Sequence, residues 1–308
     1  MKNCSATSTL VFLGNIVLLY SCHSPSNMQS IDKAVAKDVT GHYVIPPLAK
    51  PGDGALMLTT LIYPLENRPT PQCHASTIAE TTAGLVVAFF AGTYERHADV
   101  GIRVSRLVNG EWTWPVEVAN GKQNDTLRYP CWNPVLFQLK GKELLLFYKV
   151  GPSPQTWWGM MIRSKDNGVT WSAPAKLGTD PVIGHLLGPV KNKPVQLSNG
   201  TIISPVSIEY PRTGEDQDWR VYFEISKDDG NTWRVVGPIN DGIEFDAIQP
   251  SILQYPDGRI QVLCRTREDV IAESWSGDRG ETWSKMKATS LPNPNAKRSK
   301  SHQPEKQC

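Results

Sequence analysis

Glu95, Arg96, His97 and Asp99 place four titratable side chains within five residues, after the small Ala91-Gly92 pair. A turn needs fewer charges than that. Carboxylates and an imidazole at this density can move protons, so Asp99 and Glu95 are candidate acid/base groups. His74, between Cys73 and the start of an alternating stretch, is a third. Arg265 closes an alternating stretch whose far end should reach the face that carries Asp99. A guanidinium there, joined by Arg96, can hold a carboxylate through paired hydrogen bonds. Blander roles compete for every one of these residues: solvated loop charge, a hydrogen-bonded core histidine, or a surface arginine.

Such side chains need a rigid scaffold, and the scaffold announces itself as a repeat. Ser164 to Trp171 (SKDNGVTW), Ser226 to Trp233 (SKDDGNTW) and Ser276 to Trp283 (SGDRGETW) keep Ser, Asp, Gly, Thr and Trp in fixed places. A worn copy retains Ser105, Gly110 and Trp114. This is turn chemistry: the carboxylate collects backbone N–H groups, glycine supplies a positive φ, and tryptophan anchors the next strand in the core. Asp166, Asp228 and Asp278 are therefore assigned to structure.

Around the four turns, four units can be written under one another. The expected strands are 76–80, 85–91 and 100–106 in the first; 134–139, 143–150 and 158–164 in the second; 194–197, 201–207 and 219–226 in the third; 251–254, 259–266 and 270–276 in the fourth. Each unit then ends in a fourth strand bearing a tryptophan. Successive tryptophans at 114, 171, 233 and 283 have the spacing of propeller blades, and no helix-length periodicity interrupts them. The expected fold is all-β, a β-propeller. In such a ring the innermost strands begin near the axis, where ligands bind. Asn133 (in Trp132-Asn133-Pro134) and Lys191 (in Lys191-Asn192-Lys193-Pro194) are binding candidates there, although Asn before Pro is also an ordinary turn residue. Arg267, Glu268, Glu209 and Glu244 are read as charged loop residues of lower rank.

Ser-x-Asp-x-Gly-x-Thr-Trp at this spacing resembles the Asp-box, or bacterial neuraminidase repeat, of the sialidase superfamily. Cys73 to Thr77, Trp132 to Phe137, Leu187 to Pro194 and Leu291 to Asn295 look like a bacterial and plant branch of sialidase-like proteins. The likeness runs from about residue 70 to 295. It implies six blades, of which about four are present, and so a chain truncated at its C-terminus. It also implies three arginines on a substrate carboxylate, a Tyr nucleophile activated by Glu, and an Asp acid/base. Asp99 falls where the acid/base belongs and Arg265 where the second arginine belongs. Cys73-His74-Ala75 stands in place of the first arginine's motif, and Gln249 replaces the activating glutamate and is kept as a substrate-binding candidate. The third arginine and the tyrosine fall in blades beyond this chain. The implied function is an exported glycoside hydrolase of exo-alpha-sialidase type removing a terminal, acidic sugar. A glycan-binding propeller without turnover and an inactive fragment are the alternatives.

The remaining features bound this reading. Lys+Arg (32) and Asp+Glu (30) nearly balance, which argues against nucleic acid as a partner; a carbohydrate is expected instead. No Cys-x-x-Cys, zinc spacing, phosphate loop or Ser-His-Asp order appears, so neither metal nor cofactor is expected. Residues 1–22 read as a signal peptide, with Lys2, an apolar run and Tyr20-Ser21-Cys22. A lipoprotein signal, in which acylated Cys22 would anchor the chain to a membrane, is preferred to an ordinary cleaved signal. The expected location is periplasmic, on the outer membrane, or extracellular. Residues 23–55 read as a linker, 56–291 as the propeller and 292–308 as an unstructured tail. Cys73, Cys131 and Cys264 are expected to be buried free thiols. Oligomeric state is left open.

Overall fold

The protein's computed structural model describes residues 60–211 and 217–293, so the signal, the linker and nearly all of the tail lie outside the described residues. The chain divides into two compact units, Met1–Leu61 and Ile62–Cys308, and every strand below belongs to the second.

That unit folds as four antiparallel sheets. The first holds β1 (Gln72–Thr81), β2 (Gly84–Gly92) and β3 (Gly101–Val108), with β4 (Glu111–Trp112) and β5 (Val116–Ala119) both pairing β3. The second runs β6 (Cys131–Gln138), β7 (Leu144–Val150), β8 (Trp158–Ser164) and β9 (Ala175–Lys176). A small hairpin, β10 (Thr179–Asp180) and β11 (Gly184–His185), comes next in the chain. The third runs β12 (Val195–Gln196), β13 (Ile202–Pro211), β14 (Gln217–Ser226) and β15 (Arg234–Val236). The fourth runs β16 (Ala247–Gln254), β17 (Ile260–Thr266), β18 (Val270–Ser276) and β19 (Lys287–Pro292). The expected all-β propeller is what forms, with four blades among the described residues.

Sequence-based boundaries needed several corrections. β6 begins at Cys131 rather than Pro134, because a bulge lets the strand continue through Asn133-Pro134 instead of starting after it. β16 extends back to Ala247 for the same reason. β12 shrinks to two residues, and the first blade's last strand splits into β4 and β5. Glu209, read as a loop residue, lies inside β13.

Each turn motif closes as its chemistry dictates. In the third blade Ser226 Oγ donates to Asp228 Oδ1 at 2.8 Å and accepts from the Gly230 N–H at 2.8 Å. Thr232 donates its N–H to Oδ1 (2.9 Å) and its hydroxyl to Oδ2 (2.7 Å). The copies at Asp166 and Asp278 repeat these bonds. The motif glycines sit at φ 82°, 82° and 86°, and each lies against the preceding blade: Gly168 on Val86, Gly230 on Leu145, Gly280 on Ile203. The tryptophans also reach backwards. Trp233 meets Phe147 edge-on at 6.0 Å, and Trp283 stacks on Phe223 at 4.2 Å. Each motif thus wedges one blade against its predecessor rather than anchoring only its own next strand. Hydrophobic clusters fill the same seams: Ile102, Leu136 and Ile162 between the first two blades, Phe147 and Ile202 between the next two, Phe223 and Val262 between the last two.

Replacing Asp228 with Ala is expected to cost about 2 kcal/mol at pH 7, since charge-assisted bonds are lost from a solvent-screened site. The Thr232 hydroxyl and N–H, chiefly, hold Asp228 at about 2 against an ordinary 3.8. A carboxyl depressed on folding stabilises above its unfolded pKa, here roughly pH 4, and that contribution is lost as pH falls through its folded value. Urea unfolding at pH 7 and pH 3 should therefore show a smaller gap between wild type and Asp228→Ala at the lower pH.

One expectation about the thiols fails. Cys131 and Cys264 are buried, but Cys73 is exposed, with its sulfur 3.1 Å from the Tyr63 hydroxyl. The first three residues of β1 are all exposed, so the strand emerges from the blade before it reaches core partners.

Candidate functional site

Four residues other than glycine share an unusual backbone at the innermost position of each blade. Ala75 (φ 49°), Asn133 (39°), Lys191 (70°) and Gln249 (55°) each follow the last by 58 positions. In β1, β6 and β16 these residues sit in bulges that break the ladder between His74 and Thr77, Trp132 and Val135, and Ile248 and Ser251. A side chain in this region costs on the order of 1 kcal/mol and persists only where surroundings hold it. Bulges of this kind re-aim side chains next to active sites. Three of the predicted binding residues, Asn133, Lys191 and Gln249, therefore occupy equivalent stations. Asn133 and Gln249 are half-buried and Lys191 is exposed. The bulges also tie blades together: Asn192 Nδ2 donates to the Gln249 carbonyl (2.7 Å) and the Pro250 carbonyl (3.1 Å). Lys193 Nζ crosses from the third blade to the Ile78 carbonyl of the first.

The charged loop between β2 and β3 folds on itself. Asp99 accepts the Thr93 N–H (3.0 Å), the Thr93 hydroxyl (2.6 Å) and His97 Nδ1 (2.7 Å). Gly92 makes room for this: a Cβ there would lie 2.6 Å from Asp99 Oδ1. Burial pushes the Asp99 carboxyl up, but the Thr93 and His97 hydrogen bonds outweigh it and hold the group at about 2. Near neutral pH Asp99 is thus an ionised carboxylate that staples its loop, and it carries no proton to donate. Glu95 and His74 come together along a small cavity of about 100 Å³ with Cys73, Tyr94 and Val100. His74 also meets Phe90 edge-on at 5.4 Å.

Three guanidiniums bear on Glu209. This residue pairs across the β13–β14 ladder with Trp219. Burial raises its pKa, and the guanidiniums of Arg267, Arg265 and Arg96 pull it back without cancelling the effect. These arginines come from opposite parts of the chain: Arg96 from the β2–β3 loop, Arg265 from β17 and Arg267 from just after it. Trp219 fixes two of them, with the Arg267 guanidinium 4.1 Å and that of Arg265 5.4 Å from its ring centroid. Asp246 steadies the group by accepting the Trp219 N–H at 3.1 Å and pairing with Arg267 at 3.5 Å. Arginine held over an aromatic face keeps its planar donor edge available in one orientation. The arrangement can bind an anion next to a carboxyl that gains a proton more readily than an ordinary glutamate.

Arg96 and Arg265, named from the sequence as binding candidates, both bear on Glu209. Sequence reasoning missed Glu209 as their shared neighbour, and it missed Trp219. It also missed Lys149 and Glu224, both 0% exposed, although a lone charge in the apolar runs Leu144–Val150 and Val221–Ile225 was a legible sign.

The BNR repeat-like domain matches residues 83–307, nearly three-quarters of the chain. The chain belongs to this family. Its solved neighbours share the BNR propeller at low identity. A protein of unknown function from Dyadobacter fermentans DSM 18053 aligns with TM-score 0.59 and 18% identity, over 71% of this chain and 70% of that one. The NanB sialidase of Streptococcus pneumoniae gives 0.59 and 14% over 75% of this chain and 54% of its own. The leech intramolecular trans-sialidase gives 0.58 and 14% over 77% and 54%. The chain thus spans about half the length of those two sialidases. No curated protein matches it.

Proposed function

We propose that the protein is a sialidase-type glycoside hydrolase that takes a terminal acidic sugar from a glycan. The observation that carries this is the set of three arginines from two distant blades around the half-buried Glu209, with Trp219 holding two of them. The sugar's carboxylate pairs with the guanidiniums, and ring atoms meet the aromatic wall. The solved structure of the leech trans-sialidase contains 2,7-anhydro-Neu5Ac after soaking with 3'-sialyllactose, which supports a sialyl-like ligand for a propeller of this shape.

In this reading Glu209, whose pKa burial raises, supplies the proton. Its carboxyl protonates the departing glycosidic oxygen as the anomeric C–O bond breaks. Water then adds to the anomeric carbon and returns a proton to a carboxylate. Glu95, beside Arg96 and lining the cavity with His74, is the group assigned to that water. Asp99, tied by Thr93 and His97, keeps the loop that presents Arg96 in shape. The export reading of residues 1–22, with Cys22 as anchor, belongs to the same proposal.

A second reading, glycan binding without turnover, draws on the commitment of the Asp99 carboxylate to its own loop. Incubation with oligosaccharides ending in sialic acid, a uronic acid or a neutral sugar, with released monosaccharides measured by mass spectrometry, decides between them. Release of an acidic sugar is expected. Saturable binding without release would establish the second reading, and release of neutral sugars alone would overturn both.

A further inference from the structure

The segment that delivers Lys191 and Asn192 to the ligand face is gripped from inside the protein by two charges. Glu224, on β14, accepts the Leu187 N–H at 2.7 Å and the Gly188 N–H at 2.8 Å, one on each carboxylate oxygen. Lys149, on β7, donates from its ammonium to the Pro189 carbonyl. Both side chains are 0% exposed, and they come from different blades. Lys149 pairs with Trp132 beside the β6 bulge as Arg265 pairs with Ile248 beside the β16 bulge. The second blade thus spends its charged station on backbone, where the fourth turns its own toward the ligand face.

Apolar packing alone would cover this segment at lower cost, because two buried charges are expensive unless their partners are well placed. Burial pushes the Glu224 carboxyl up and the Lys149 ammonium down. Each charge opposes the other's shift, and Asp180 is the further charge that bears on Glu224. The groups they hold belong to three consecutive residues, two N–H donors and one carbonyl, and Val190 alone separates them from the left-handed residue Lys191.

We propose that Glu224 and Lys149 are positioning residues: together they fix the peptide units of Leu187, Gly188 and Pro189, and through them place Lys191 and Asn192 on the ligand face. The ligand half of this statement rests on the acidic-sugar reading above; the clamp does not. Glu224→Gln keeps the shape but leaves an NH2 facing one of the two N–H donors. Hydrogen exchange on the full chain is the test. In the variant the Leu187, Gly188 and Asn192 amides are expected to exchange about 100-fold faster. The turn-motif amides of Gly168, Gly230 and Gly280 should not change. Affinity for free N-acetylneuraminic acid is expected to fall about 10-fold, in line with loss of a charged contact.

The double variant Lys149→Met/Glu224→Gln removes both buried charges, and it should regain thermal stability without regaining protection at 187–188. Unchanged exchange at these amides, or an equal rise over all blades, would overturn the clamp. Local loss of protection with unchanged sugar affinity would overturn its positioning role. If wild type binds no acidic sugar, the ligand reading fails while the exchange pattern still judges the clamp.

Discussion

Arg265→Met is expected to weaken binding of a free acidic monosaccharide by about 100-fold, since it removes a charge-assisted, two-point contact. Methionine keeps most of the aliphatic stem against Trp219, so the loss is charge and geometry rather than packing. Calorimetric titration measures it, with the neutral analogue of the same sugar as control; the control should bind wild type and variant alike. Arg265→Lys should recover little, because an ammonium over Trp219 lacks the planar fork of the guanidinium. Arg265 is singled out from Arg96 and Arg267 because, of the three, it is the one built into a strand, β17, with Trp219 5.4 Å from its guanidinium.

The second large effect falls on Glu209. Glu209→Gln is expected to lower turnover of a substrate with a poor leaving group by about 1,000-fold, within the usual range for a general acid. Substrates whose leaving group needs no proton should be cleaved at a rate within a few-fold of wild type. The pH profile gives the sign. Burial raises the Glu209 pKa, so the protonated, active form survives to higher pH than for an ordinary glutamate, and activity falls as pH rises through the raised value. Glu209→Gln should lose that descending limb. The same shift is a stability statement: a carboxyl raised on folding favours the folded state below its unfolded pKa and loses that benefit as pH rises through the folded value. Because burial penalises the ionised form, Glu209→Gln should leave acid stability little changed and raise stability above the shifted pKa.

The fold was legible because its motif repeats residue types that only one local structure explains. Asp166, Asp228 and Asp278 each need two nearby hydroxyls and a glycine, and all three have them. The direction in which Trp233 and Trp283 point was not legible, since packing against the previous blade depends on how sheets meet rather than on local pattern. The even spacing of Ala75, Asn133, Lys191 and Gln249 was present in the sequence but disguised. Proline follows immediately at 134 and 250 but three residues later at 194, and not at all after Ala75.

For the site, the chain showed the charges but not their company. Asp99 ranked first by position, yet Thr93 and His97 commit its carboxylate to the loop. Glu209 ranked low because it was read as a charged loop residue; Arg96, Arg265 and Arg267 bear on it only once the blades are arranged. Proximity between residues 56 to 113 positions apart leaves no local trace. Lys149 and Glu224 are the opposite case. A lysine inside Leu-Leu-Leu-Phe-Tyr-Lys-Val and a glutamate inside Val-Tyr-Phe-Glu-Ile break the apolar pattern of buried strands, and a buried charge always needs a partner.

The central claim is that the arginines around Glu209 read a carboxylate. Titration of N-acetylneuraminic acid against its methyl ester tests this most directly, because the two differ only in the charge and geometry of that one group. The account predicts saturable binding of the acid, at least tenfold weaker binding of the ester, and loss of the difference in Arg265→Met. Equal affinity of wild type for acid and ester would contradict it.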